Sequence, residues 1–146
     1  MDEALVARAK DMAVVYTAIA AFENAAREFI EKRLIEEVGD KWWATCVPEK
    51  RRQKAESRRD EENRVRWHAK RGESLLHYTE LEDLSAVIVT NHERFVGIIE
   101  DLEWVKQIFK VVERSRNIIM HSGQLESEDL ERLGMALRDW LTQVGG

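Results

Sequence analysis

Apolar side chains recur three and four residues apart through the first quarter of the chain: Met12, Val15, Ile19, Phe22, Ala26, Phe29 or Ile30, and Leu34. That spacing lines one face of a helix. No Gly or Pro interrupts residues 2–38, and alanine and other strong helix formers fill the window, so the pattern predicts one long amphipathic helix. Gly39-Asp40 stops it. Lys41 to Val47 reads as a connector, and Pro48 suits the first position of the next helix, where its missing N–H is not needed. Residues 49–70 change character: apart from Ala55, Val65, Trp67 and Ala69, all are polar or charged. Such a segment has no broad face to bury. It is either a solvated helical arm with a sticky end at Val65 to Trp67, or disordered until it meets a partner.

Arg71-Gly72 breaks the charged segment, and Leu75 to Tyr78 read as a short extended piece. Leu81, Leu84, Val87 and Ile88 mark a further helix that ends before Asn91-His92. Gly97 leaves residues 91–101 as a connector or a short helix. Trp104, Ile108, Val111 or Val112, Ser115 and Ile119 trace a helix ending near His121-Ser122-Gly123, with Gly123 suited to the left-handed position after it. Ser127 is the expected N-cap of the last helix, with Glu128 and Asp129 favourable near its positive end. Leu130, Leu133, Leu137, Trp140 and Leu141 supply the apolar face of that helix, to about Val144. The sum is all-α: an up-and-down bundle of four to five helices in one domain over residues 1–146, with a charged helical arm at 49–71.

Composition narrows the alternatives. Seven Gly and one Pro in 146 residues are too few turn formers for a β-sandwich or barrel. The lone Cys46 cannot close an intramolecular disulfide, and among bulky apolar neighbours it reads as a packed, inert thiol. No Cys/His cluster has zinc-ligand spacing, so neither a metal nor a cofactor is expected. The sequence starts acidic, without the basic lead-in of a secretory signal. The longest nearly apolar stretch, Ala13 to Phe22, covers ten residues, half a membrane span. A soluble, cytoplasmic protein with no membrane contact is the expectation.

The net charge of −5 conceals an asymmetry. Residues 49–71 hold ten Lys/Arg against five Asp/Glu, a local +5 on a body of −10. Screening keeps the distant acids from cancelling this segment, so it can attract phosphate. Arg51, Arg52, Arg58 and Arg59 are therefore candidate RNA contacts, beside the plainer reading of a solvated charged face.

No phosphate-binding glycine loop, dinucleotide fingerprint or nucleophile elbow is present. The strongest candidate chemistry lies in Arg116-Asn117-Ile118-Ile119-Met120-His121. Arg71 and His77 have a similar spacing, but they straddle Gly72 in a break, whereas Arg116 to His121 close a helix. Asn117 and His121 stand one turn apart, so the amide is placed to hydrogen-bond the imidazole and set its tautomer. Arg116 and His121 lie about 140° apart around the axis, a gap only a long guanidinium can bridge. The negative end of the helix dipole suits His121 to proton donation. These parts fit a metal-independent RNA transesterification site. Arg116 would neutralise the pentacoordinate phosphate, and His121 would take the 2′-hydroxyl proton or protonate the 5′-oxygen. One imidazole cannot readily do both, and a homodimer would bring two His and two Arg to one cleft. The plainer alternative has His121 capping its helix and Arg116 in a surface salt bridge.

Arg116-Asn117-x3-His121 resembles the Arg-polar-x3-His signature of the HEPN superfamily. The likeness extends to Gly39-Asp-Lys-Trp42-Trp43 before Val47-Pro48-Glu49, to Arg66-Trp67-His68, and to Leu84 through Ile88 followed by His92-Glu93-Arg94-Phe95. It continues from Leu125 through Glu131 to Asp139-Trp140. These features, over about residues 15–144, are similar to the branch that includes the C-terminal domain of a eukaryotic transcript-surveillance endoribonuclease and many prokaryotic relatives. The resemblance implies an all-α bundle, commonly dimeric, with the signature facing a cleft between protomers. It implies Arg116 and His121 as a catalytic pair, Asn117 as their polar partner, and RNA as substrate. Active members work in toxin–antitoxin, abortive-infection and CRISPR-accessory systems, which makes an antitoxin or a fused regulatory domain the expected protein partner. Other members are non-catalytic and bind RNA, nucleotides or proteins. Met120 and Gly123-Gln124 depart from the usual small residue before the His and the basic or proline-containing turn after it.

Overall fold

The computed structural model describes residues 1–145, whose regular structure is all helical, with no strand among them. Six α-helices follow one another: α1 (Glu3–Val38), α2 (Trp42–Cys46), α3 (Glu49–Asn63), α4 (Leu81–Thr90), α5 (Leu102–Met120) and α6 (Ser127–Val144). Two 3-10 turns, Leu75–Tyr78 and His92–Phe95, flank α4. No described helix is long and apolar enough to cross a membrane. The all-α expectation is met, and the long first helix ends where Gly39 takes a left-handed φ of +87°.

The chain forms two compact units, Met1–Ala25 with the chain from Gly97 onward, and Ala26–Val96. In the first, α1 contributes Met12, Ile19 and Phe22, α5 contributes Val105, Ile108, Phe109 and Val112, and α6 contributes Leu133, Ala136 and Trp140, all buried. Phe22, Phe109 and Trp140 meet edge-on, with ring centroids 5.3, 5.6 and 5.4 Å apart. Such pairs add about 0.5–1.5 kcal/mol each beyond burial. Leu125 closes this unit, its amide 3.4 Å from the Met12 sulfur.

In the second unit the end of α1 presents Ala26, Ile30 and Leu34 to a core completed by Leu76, Tyr78, Leu84, Val87, Ile88 and Phe95. Polar side chains tie its irregular segments to the helices. Arg27 donates from Nε to the Leu76 carbonyl and from Nη2 to that of Thr79, both at 3.0 Å. Buried Asn91 donates to the Cys46 and Val87 carbonyls at 2.8 Å. Burial pushes the Cys46 thiol above its ordinary value, against the pull of Arg94, so the packed sulfur stays protonated.

Several local expectations are corrected. Lys41 to Val47 is not a plain connector: Trp42 and Cys46, one turn apart and both buried, make it a one-turn helix. Leu75 to Tyr78 is a 3-10 turn rather than an extended piece, because Ser74 Oγ accepts from the Leu76 amide and caps it. The last helix is capped by Glu126, not Ser127; the Glu126 amide donates to Asp129 at 3.0 Å. Leu130 and Leu141 stay exposed, since the buried stripe of α6 follows Leu133, Ala136 and Trp140. The charged segment is helical as α3, but it is docked along one side, with Ala55 wholly buried.

Candidate functional site

The end of α5 is built by its sequence. Val105, Ile108, Phe109, Val112 and Ser115 form the buried stripe, which turns Arg116 to the edge of the packed face and leaves Asn117 and His121 exposed. His121 is the C-cap, and its amide donates to the Asn117 carbonyl at 3.2 Å. Two further bonds stop the helix: Ser122 N–H to the Ile119 carbonyl at 3.0 Å and Gly123 N–H to the Ile118 carbonyl at 2.8 Å. This is the paired pattern of a Schellman turn. The left-handed residue is Ser122, with φ +62°, rather than Gly123 as the sequence suggested. Gly123 is needed for another reason. A Cβ there would stand 2.7 Å from Ile118 Cγ2 and 2.9 Å from the Ile118 carbonyl oxygen.

The geometry adds a residue that sequence patterning missed. Glu23, on α1 between Phe22 and Ala26, places its carboxylate Oε1 2.8 Å from Arg116 Nε. The Glu23 side chain is only 12% exposed, against 38% for Arg116. The carboxylate lies closest to the Nε edge of the guanidinium, as an ion pair without hydrogen-bond geometry at Oε1, and no other described residue forms an ion pair with Arg116. The signal was present as a carboxylate beside an otherwise apolar helical stripe, but only the fold supplies its partner. Asn117 and His121 share a helix face, yet the expected amide–imidazole hydrogen bond is not formed among the described residues; only their backbones are bonded. Alongside, Leu5, Met12 and Tyr16 of α1 face Ile119, Met120 and Gly123 across a groove of about 600 Å³.

The α3 arginines have a different setting. Arg51 Nη1 pairs with Asp83 at 2.7 Å, and its Nη2 lies 3.6 Å from Glu82. Arg52 Nε donates to the Val47 carbonyl at 2.9 Å. Arg58 reaches the Tyr78 carbonyl at 2.8 Å and Glu80 at 3.3 Å. Arg59, 3.7 Å from its neighbour Asp60, is the least engaged of the four. The fold thus gathers Arg51 and Arg58 over Glu80, Glu82 and Asp83.

Comparison with curated proteins and with solved structures returned no match. A family model described as Swt1-like HEPN matches residues 17–145, which takes in α1 from Thr17 and every later element, including Glu23, Arg116 and His121. Membership of that family accounts for the all-α fold. The chain belongs to the HEPN superfamily, in its Swt1-like branch.

Proposed function

We propose that the chain is a metal-independent endoribonuclease acting by 2′-hydroxyl transesterification, as a toxin or anti-phage defence effector. The observation that carries this reading is the Glu23–Arg116 ion pair at 2.8 Å, with His121 exposed on the capping turn that follows. A guanidinium held by Nε keeps its terminal fork for a phosphate, the geometry that favours Arg at such sites. Arg116 would stabilise charge developing on the phosphorane. His121 would remove the 2′-hydroxyl proton as the oxygen attacks phosphorus. An acid must then protonate the departing 5′-oxygen. A second His121 from a homodimer partner supplies it, leaving a 2′,3′-cyclic phosphate and a 5′-hydroxyl. Asn117, exposed beside His121, would orient the imidazole once substrate is present.

Exposed apolar side chains support self-association near this turn. Ile118 and Met120, inside the signature, are 40% and 46% exposed, and Leu5 and Tyr16 line the adjoining groove. On α3, Arg59 is the arginine best placed to add a phosphate contact. Arg51, Arg52 and Arg58 would do so only by leaving intramolecular partners.

Digestion of RNA in EDTA by the wild type and by His121→Ala tests the assignment. We expect the variant to lose roughly 100–10,000-fold of the cleavage rate. Products should carry 2′,3′-cyclic phosphate ends. Equal cleavage by both proteins, or 3′-hydroxyl products, would refute it. Absence of cleavage in both would leave a HEPN module that binds RNA, nucleotide or a protein partner without chemistry.

A further inference from the structure

We propose that residues 64–71, with Trp67 at the tip, form a capture element for single-stranded RNA, in which the indole stacks on a base and Arg64 and Arg66 contact adjacent phosphates. The segment follows α3 as a loop closed firmly at its base. The Glu62 carboxylate accepts from the Arg71 amide at 3.1 Å and from Arg71 Nε at 3.0 Å. Lys70 Nζ donates to Asn63 at 2.8 Å, and the Arg71 guanidinium lies 5.9 Å from the Tyr78 ring centre. Within this clasp, Val65 N–H bonds to the Glu62 carbonyl at 3.0 Å and His68 N–H to that of Val65 at 3.4 Å.

A loop so fixed has no need to present its largest apolar side chain to water, yet Trp67 is 86% exposed. His68 packs against the indole at 5.6 Å and 73°, which restricts its rotation. The eight residues carry Arg64, Arg66, Lys70 and Arg71 and no acid, on a chain whose net charge is −5, while Arg64 also lines a surface hollow with Glu56, Asp60 and Glu61. Arg64 and Arg66 are exposed, and their side chains engage no described acceptor. A held aromatic with unpaired cations beside it is the chemistry of single-strand recognition: every base has a face to stack, and the backbone supplies the charge. An anionic membrane would match the charge equally. The loop, however, offers one indole as its main apolar anchor: Val65, two residues away, is 37% exposed against 86% for Trp67 and is a far smaller side chain. The choice of RNA over DNA rests on the proposed function, whereas the single-strand preference rests on the loop alone.

The test measures binding of labelled oligouridine, a duplex RNA and phosphatidylserine vesicles to the full chain, carrying His121→Ala so that RNA survives. Stacking worth about 1–3 kcal/mol converts to roughly 5–150-fold, the loss expected for oligouridine with Trp67→Ala. Trp67→Phe should recover most of it. Arg64→Gln with Arg66→Gln should lower the salt slope by about 1.4, at roughly 0.7 per single-strand phosphate. Duplex RNA should bind more weakly and respond little to Trp67. Unchanged oligouridine affinity in Trp67→Ala, equal dependence of duplex binding on Trp67, or a Trp67 effect confined to vesicles would overturn the proposal. Its failure is separable from that of the nuclease reading. Trp67-dependent binding without wild-type cleavage would refute only the chemistry, and cleavage with Trp67-independent binding would refute only the capture element.

Discussion

Arg116 on α5 and Arg51 on α3 are both paired with a carboxylate that is nearly buried, yet the pairings differ in which nitrogens they occupy. Glu23 takes Arg116 by Nε, whereas Asp83 and Glu82 engage Arg51 through its terminal nitrogens. Arg58 likewise uses both terminal nitrogens, on the Tyr78 carbonyl and Glu80. A guanidinium binds phosphate best through a free planar fork. The same residue type, with a similar acidic neighbour, is thus poised for a ligand at one place and built into the scaffold at the other. Counting basic residues along the chain favours α3, and the geometry favours α5.

The largest expected effect that bears on this contrast comes from Glu23→Gln, which keeps the shape and removes the charge. If Glu23 aims Arg116, RNA cleavage should fall by roughly 10–100-fold, mainly in kcat, as misplacement of a charge-stabilising group predicts. Combining it with Arg116→Ala should cost no more than Arg116→Ala alone, because the two act as a unit. A merely structural ion pair would show instead as lowered thermal stability with cleavage per folded molecule unchanged. That outcome would make Arg116 and Arg51 equivalent and erase the distinction.

On the α3 side, Asp83→Ala should cost about 2–3 kcal/mol in urea unfolding. Its carboxylate accepts from Arg51 Nη1 at 2.7 Å and, through Oδ2, from the Glu80 amide at 2.8 Å, so one truncation removes a helix cap and the partner that docks α3. Arg59→Ala should change stability by no more than about 0.5 kcal/mol, since its contact with Asp60 is exposed and 3.7 Å long. A large cost at Arg59 would mean that this arginine too is built into the scaffold, and none at Asp83 would mean that α3 is a loosely held arm after all.

How much of this was legible in advance follows from the range of the forces involved. The α1 stripe through Met12, Ile19, Phe22, Ala26, Ile30 and Leu34 was readable because burial repeats every turn and leaves a periodic trace. Arg116 and His121 were readable as a local pattern on one helix. Glu23 was not, because its partner lies far along the chain and a carboxylate beside the α1 stripe does not identify that partner. The docking of α3 was hidden for the same reason. A single buried residue, Ala55, and ion pairs to the α4 cap hold it, and composition sees only a highly charged helix. The Trp67 tip fell between these cases: its neighbours suggested a sticky end, but only its exposure shows that the stickiness is unsatisfied within the chain.

A finer probe asks whether the α5 turn itself fixes His121. Gly123→Ala would set a methyl carbon 2.7 Å from Ile118 Cγ2 and 2.9 Å from the Ile118 carbonyl that Gly123 N–H bonds. Backbone and side chain must both move, at a cost of about 1–2 kcal/mol, and the closing bond of the turn is the natural one to yield. Ser122→Gly should do the opposite, because its φ of +62° is disfavoured for any residue with a Cβ; relief of strain should gain roughly 0.5–1 kcal/mol. The pair separates turn geometry from contact with substrate, since neither residue belongs to the proposed catalytic set. Thermal melts should order the proteins Ser122→Gly, wild type, Gly123→Ala, and cleavage should fall in Gly123→Ala alone. If Gly123→Ala melts lower but cleaves normally, the imidazole is positioned by substrate or by a second protomer rather than by this cap, and the advantage of the α5 site over α3 rests on Arg116 and Glu23 alone.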